Sequence, residues 1–343
     1  MKIIGGPFSS VPIKKGYDLL SANNRNLYLV GSGRIALYVI LLSILQEYKA
    51  NGVLWLPAYY CDMGWHIASN LGYVVKYYPV IYKDCQYNIK LSTISKGDVI
   101  LYLNYYGFSQ NQLMDEINKY KKKGCIIIED ITQSLLSNNK SNFADYYFAS
   151  IRKWTGVFTG GLVYGKGLDK YTNQKVNFEL VNHNKSFFDD YQNYLITGEG
   201  NRNYYSSCFY KAELMIDSNY EKLAMYQPDM ELVKEWDIEL VISKRIQNAE
   251  YLISNIKNKD ILMFNEIKKG DVPFFLPVYL EDRDSVCRFL DSYDIYCSVL
   301  WERPTGCQAE CNLYENEFGL VCDERYSLDD MKHISDIING IIN

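Results

Sequence analysis

Tyr146–Gly165, YYFASIRKWTGVFTGGLVYG, sets one lysine between an apolar run and a glycine pair. Tyr146 to Ile151 reads as a buried strand, and Lys153 follows it, ahead of Trp154 and of Gly160-Gly161. An ammonium group at the end of a buried strand is either a solvated strand end or a nucleophile held against a ligand. The stretch by itself leaves both open, and its neighbours in the chain decide.

Apolar, strand-like runs recur at Gly52–Pro57, Val74–Val80, Val99–Leu103 and Cys125–Glu129, then at Tyr146–Ile151 and Leu162–Tyr164. Helical patterns intervene at Ile35–Tyr48, Cys61–Leu71 and Gln112–Lys123. Continuous apolar strands alternating with helices predict a mainly parallel sheet with helices on both faces. Ligands of such α/β sheets sit at the carboxyl ends of the strands. Residues 168–225 are polar and rich in Asn and Tyr, with no clear period. Beyond them the pattern predicts a long helix, Met230–Asn258, and then a strand, a helix and a strand at Val272–Leu280, Arg283–Ser292 and Ile295–Leu300. A closing helix follows at Ser327–Ile342. The expected division is a large domain, 1–225, and a small C-terminal α+β domain, 226–343.

Composition narrows the function. The chain has 343 residues, of which 48% are hydrophobic and 22% charged, as in ordinary globular proteins. A net charge of −5 and a single basic run, Lys121-Lys122-Lys123 at a predicted helix end, argue against nucleic-acid binding. The start MKIIGGPFSS lacks the apolar core of a signal peptide, and the longest apolar stretch, Ile35–Leu45, is too short to span a bilayer. A cytoplasmic protein with no membrane partner is expected. Nine cysteines form no CxxC pair, and three scattered histidines suggest neither a metal site nor a Ser-His-Asp triad.

Two further motifs carry chemistry. Gly31-Ser32-Gly33-Arg34-Ile35-Ala36 opens the first helix and matches G-x-G-x-x-A, but the next strand ends Leu56-Pro57-Ala58-Tyr59, without the acid that a dinucleotide ribose would need. What remains is an anion site of helix-terminal N–H groups, or a plain helix start. Gly160-x4-Gly165-Lys166 is followed by Gly167 and overlaps a predicted strand, so it is not a phosphate loop of the nucleotide-triphosphate type. Asp130 stands at the end of the Cys125–Glu129 run, with Gln133 three residues on. A phosphate cradle, a strand-end aspartate and a strand-end lysine are together what pyridoxal phosphate requires. The phosphate takes N–H and hydroxyl donors, the pyridine nitrogen takes an anion, and the aldehyde takes a lysine.

These segments resemble the DegT/StrS family of sugar aminotransferases, pyridoxal-phosphate enzymes of fold type I. GSGRIAL (Gly31–Leu37) is similar to the family's SGTAAL, VLWLPAYYC (Val53–Cys61) to VIVPAFTF, and LNYYGF (Leu103–Phe108) to VHLYGQ. IIIEDITQS (Ile126–Ser134) is similar to VIEDAAQA, SIRKWTGVFTGG (Ser150–Gly161) to the segment with the cofactor lysine, and IYCSVLWERP (Ile295–Pro304) to a late strand. The match spans most of residues 30–165 and returns from about 230.

The resemblance implies a fold type I transferase that binds pyridoxal 5'-phosphate and acts as a homodimer with a shared active site. Lys153 would be the cofactor lysine and proton shuttle, Asp130 the partner of the pyridinium nitrogen, and Gln133 a contact to the ring's phenolic oxygen. Ser32, Gly33, Arg34 and Ser150 would hold the phosphate, with the amides of Gly33 and Arg34 as donors. The aromatic that stacks on the ring aligns near Cys61, which is not aromatic, and Tyr60 or Tyr59 is the candidate in its place. Ser150 and Lys153 are closer in sequence than in the family, and its substrate segment is only echoed by Asn201–Tyr205. Arg152 and Arg202 are the substrate candidates. The implied reaction moves an amino group from glutamate to a keto group of a nucleotide-linked sugar, in surface polysaccharide or secondary-metabolite synthesis. The alternatives are a transaminase of a small keto-phosphate, or a non-catalytic protein of the same fold. Relatives that act as dehydratases carry histidine in place of the lysine, so Lys153 speaks for transamination.

Overall fold

The computed structural model of the chain describes residues 3–9, 26–47, 52–91, 93–171 and 175–342. Its centre is a seven-stranded sheet. The strands are β1 (Leu27–Val30), β2 (Val53–Pro57), β3 (Val74–Tyr78), β6 (Val99–Leu103), β7 (Ile126–Asp130), β8 (Tyr146–Ser150) and β9 (Gly161–Gly165), in the spatial order β1-β9-β8-β7-β6-β2-β3. From β3 to β8 every neighbouring pair is parallel, while β9 runs antiparallel to both β8 and β1. The expected mainly parallel sheet is present, with β9 and β1 as an antiparallel margin. β6 is buried along its whole length, which is why VILYL shows no polar alternation.

The first helix, α1 (Gly33–Glu47), packs on β8 and β9 and also meets α2 (Met63–Asn70) and α6 (Arg202–Asp217). Apolar neighbours on several sides explain why Ile35, Leu37, Val39, Ile40, Leu41 and Ile44 are all buried rather than forming one stripe. Tyr48, where this helix was expected to end, lies outside the described residues. α3 (Asn111–Lys122) instead buries only Leu113, Ile117 and Tyr120, a single face at helical spacing.

Several expectations are corrected. The run Val74–Val80 is two strands, because Pro79 cannot donate to a ladder. After it, β4 (Val80–Lys83) turns into β5 (Gln86–Ile89) through Asp84 and Cys85, both left-handed, as a two-residue hairpin requires. Residues 168–225, unreadable in sequence, supply α4 (Phe178–Lys185), α5 (Phe188–Thr197) and α6. The long predicted helix is α7 (Gln227–Lys234) and α8 (Ile238–Asn255), parted where the Asp237 side chain caps α8 by accepting from the Leu240 amide.

In the C-terminal part, β10 (Leu276–Tyr279) pairs antiparallel with β11 (Glu317–Leu320), a strand not foreseen. Ile295–Leu300 is not a regular strand. Among the described residues it pairs with others only by single bridges, Ile295 to Ile4 and Ser298 to Gly319, after Asp294 has turned the chain in left-handed geometry. α9 (Arg283–Asp291) and α10 (Leu328–Ile341) complete this part, and α10 starts with a capping box between Ser327 and Asp330. Among the described residues no helix is long and apolar enough to cross a membrane.

Candidate active site

Strand register assembles the site. Asp130, the last residue of β7, lies opposite Leu103 on one side and Phe148 on the other, so Ser150 stands two residues further along β8. Ser150 in turn faces Gly161 of β9, which faces Val30 of β1. The chain leaving β1 therefore starts α1 beside the end of β8. Two glycines make that approach possible. A Cβ on Gly33 would lie 2.9 Å from the Ser150 Cβ, and one on Gly161 would lie 2.2 Å from the Ser32 carbonyl oxygen.

At the start of α1 the Ile35 amide bonds the Ser32 Oγ at 3.2 Å and the Ala36 amide bonds the Ser32 carbonyl at 3.0 Å. That leaves the Gly33 and Arg34 amides, with the hydroxyl of Ser150, as the donors an anion would meet. The Arg34 side chain turns away from this cradle and pairs with Glu213 at 2.6 Å and Asp217 at 2.9 Å on α6. Arg152 pairs with the same Glu213 at 2.5 Å. Burial acts to raise the Glu213 carboxyl, but the charges of Arg152 and Arg34 outweigh it and hold the group down at about 2.

Asp130 is buried, and both its oxygens are gripped. The Thr132 amide donates to Oδ1 at 2.8 Å, and the Tyr60 hydroxyl donates to Oδ2 at 2.7 Å. Burial raises this carboxyl above its ordinary range, while hydrogen bonding from the Thr132 side chain, from Tyr60 and from the Thr132 amide, and the charge of Lys153, act against the rise. Lys153 ends the short turn Ile151–Lys153 with its side chain exposed, and its charge is felt by both Asp130 and Glu213. Gln133 is buried, and its Oε1 accepts from the Tyr106 amide at 2.8 Å, so its amide nitrogen is the end left for a ligand.

The structure thus brings Ser32, Gly33, Arg34, Tyr60, Asp130, Gln133, Ser150, Arg152 and Lys153 to the carboxyl edge of the sheet and its flanking loops. Arg202 goes elsewhere. It opens α6, pairs with Asp291 of α9 at 2.8 Å and lies 3.7 Å from the centre of the Tyr296 ring. Tyr60 meets Asp130 through its hydroxyl, an edge contact that motif comparison did not suggest.

Four residues that sequence reading passed over hold this arrangement. Thr132 joins three of its segments: its amide holds Asp130, its Oγ1 accepts from the Ser150 amide at 3.1 Å, and its carbonyl accepts from the Trp154 indole at 2.6 Å. Asp229 of α7 anchors the loop after Lys153, accepting from the Phe158 amide at 3.2 Å and from the Thr159 amide and hydroxyl at 2.8 Å. Glu317 of β11 receives the hydroxyls of Tyr59 and Tyr106. Glu213 of α6 bridges Arg34 and Arg152. None sits in a recognisable motif, and only Thr132, inside the EDITQS segment, was close to one. The arrangement can bind an anion at the α1 terminus, hold a cation at Asp130 and offer an amine at Lys153. A groove of about 240 Å³ bordered by Asp84, Tyr87, Phe108 and Phe264 carries none of these groups. Among the described residues, no cluster of His, Cys, Asp and Glu is suited to a metal ion.

No sequence-family model matches the chain, and no curated protein matches it by sequence. Solved structures do match. The sugar aminotransferase CalS13 from Micromonospora echinospora superposes with a TM-score of 0.64 at 14% identity, covering 99% of this chain and 93% of its own. A DegT DnrJ EryC1 StrS aminotransferase from Brucella abortus gives 0.60 at 15% identity, over 92% and 85%. The E. coli GDP-4-keto-6-deoxy-D-mannose-3-dehydratase with bound hydrated PLP gives 0.60 at 15% identity, over 92% and 88%. At such identities the likeness speaks for architecture, and on that ground the chain has the fold of the fold type I pyridoxal-phosphate enzymes.

Proposed function

We propose that this chain is a pyridoxal-phosphate-dependent aminotransferase of the DegT/StrS type, which transfers an amino group from glutamate to a keto group of a nucleotide-linked sugar. The observation that carries this reading is the meeting, at one sheet edge, of a helix-terminal anion cradle, a buried carboxylate and a lysine. The donor set suits the cofactor. Two amides of α1 that have no partner among the described residues, and the Ser150 hydroxyl, match a phosphate, and Asp130, buried with neutral donors on both oxygens, matches a protonated ring nitrogen. When bound, pyridoxal phosphate supplies an electron-withdrawing ring that stabilises carbanion charge.

The chain's own groups would then divide the work. Ser32, Gly33, Arg34 and Ser150 bind the phosphate, and Asp130 keeps the ring nitrogen protonated. Gln133, its Oε1 already taken by the Tyr106 amide, would donate its amide nitrogen to the phenolic oxygen. Lys153 Nζ, reachable from solvent, holds and moves the proton at the reacting carbons. Arg152 is the candidate for a substrate phosphate, since Glu213 already presents its guanidinium beside Lys153. A solved structure of similar fold belongs to a dehydratase, but the lysine at position 153 favours transamination. Division at about residue 225, a homodimer, a cytoplasmic setting and a role in polysaccharide or secondary-metabolite synthesis belong to the same proposal.

The test is acceptor specificity. Protein charged with amino groups from glutamate is expected to aminate a nucleotide-linked keto-sugar from a panel. Turnover of a small keto-phosphate with none of any nucleotide-sugar would overturn the acceptor assignment. Failure to take an amino group from any donor would overturn the aminotransferase.

A further inference from the structure

We propose, resting on the reading of the site given above, that Tyr60 is a positioning residue for Asp130, its hydroxyl fixing the direction and charge of the carboxylate that faces the ring nitrogen. The resemblance offers Tyr60 or Tyr59 for stacking on the ring face, and the geometry gives Tyr60 a contact with Asp130 besides. Tyr60 is 4% exposed, and its hydroxyl lies 2.7 Å from Asp130 Oδ2, opposite the oxygen that Thr132 holds at 2.8 Å. Each carboxylate oxygen accepts more than one hydrogen bond, so the carboxylate can receive a ring N–H without releasing Tyr60.

The phenol is itself fixed. Gly64 of α2 leaves it space, since a Cβ there would lie 2.8 Å from the Tyr60 Cε1. Trp301 covers it from the C-terminal part, with ring centres 5.9 Å apart. Burial first, and then the charge of Asp130, push the Tyr60 hydroxyl well above its ordinary range, so it stays a donor throughout the working pH range. The groups facing this pair are the Thr132 amide and side chain from the turn after β7, Lys153 from the turn after β8, Cys61 from the loop after β2, and Tyr105 from the loop after β6. Of these, only Lys153 is a cation, and it is exposed. With the Thr132 side chain, the hydroxyl of Tyr60 is therefore a donor that favours the ionised form of the buried Asp130 against the effect of burial.

The test is a pH titration of binding, with Tyr60→Phe retaining the ring and losing only the hydroxyl. The probe is 4'-deoxypyridoxine 5'-phosphate, which has no aldehyde, so Lys153 cannot react and no turnover is read. Binding is followed by tryptophan fluorescence between about pH 5 and 9 in the wild type, Tyr60→Phe and Asp130→Asn. The probe's own titration is the same in all three. In Tyr60→Phe the pH at which affinity falls on acidification is expected to move up by about one unit, a tenfold change in proton affinity from losing one donor to a charged group. Asp130→Asn is expected to lose that transition. A Tyr60→Phe curve with the wild-type midpoint, whether or not it is uniformly weaker, would overturn the proposal for Tyr60 while leaving the cofactor site standing. No saturable binding by the wild type would overturn the reading of the site itself.

Discussion

Glu317 should make this protein less stable as the pH rises through neutrality. Its carboxylate is fully buried at the start of β11 and takes the hydroxyls of Tyr59 and Tyr106. Burial pushes its pKa up from 4.5 to about 7, although both hydroxyls and the charge of Arg283 act the other way. The folded state thus keeps a proton that the unfolded chain releases above about 4.5. Its contribution to stability is full below that point and is lost as pH rises through about 7. The interval between 4.5 and 7, at about 1.36 kcal/mol per pH unit, amounts to about 3 kcal/mol. Glu317→Gln is neutral at every pH and removes the dependence, with any change in hydrogen bonding entering as a constant offset. Urea unfolding of both proteins, followed by tryptophan fluorescence from about pH 4 to 8, measures the effect as a difference of differences. Relative to wild type, the Gln variant is expected to gain about 3 kcal/mol between the two ends of that range. Parallel stability curves would refute the reasoning, because they would mean that Glu317 titrates alike in the folded and unfolded chains.

Two further outcomes follow from the same contacts. Asp130→Asn is expected to keep the fold yet slow the half-reaction with glutamate by several powers of ten, each corresponding to about 1.4 kcal/mol of barrier; a near-normal rate would reduce Asp130 to a turn cap on Thr132. Thr132→Val removes the acceptor for the Ser150 amide at a cost of about 1–3 kcal/mol in stability. It is also expected to weaken pyridoxal phosphate more than pyridoxal, with Thr132→Ser restoring the difference; equal losses for the two ligands would deny Thr132 a part in the phosphate site.

Much of the large sheet was legible, for physical reasons. β6, β7 and β8 are short, apolar and buried, and their ends carry Asp130 and Ser150, so both the strands and the chemistry stand out. The hairpin β4–β5 and strand β11 were not legible, because Pro79 interrupts one apolar run and Glu317 places a carboxylate at the start of the other. The helices α4, α5 and α6 bury aromatic residues such as Tyr191, Tyr194 and Tyr205 alongside many polar ones, which blurs the helical period. At the site, motif comparison could name single residues but not the bonds between distant ones. Tyr60 and Asp130 are 70 residues apart, and Tyr59 and Glu317 are 258 apart. Arg202 looked like part of a substrate segment, but its position at the head of α6 gives it Asp291 and Tyr296 as neighbours.

The central claim, that Lys153 is the amine of a pyridoxal-phosphate site, is tested most directly by a chemical trap. Purified protein loaded with pyridoxal phosphate is treated with borohydride, digested and mapped. The account expects visible absorbance before reduction, with one label afterwards, on Lys153, and none in Lys153→Ala. A label on any other lysine, or no label on the wild type, would contradict it.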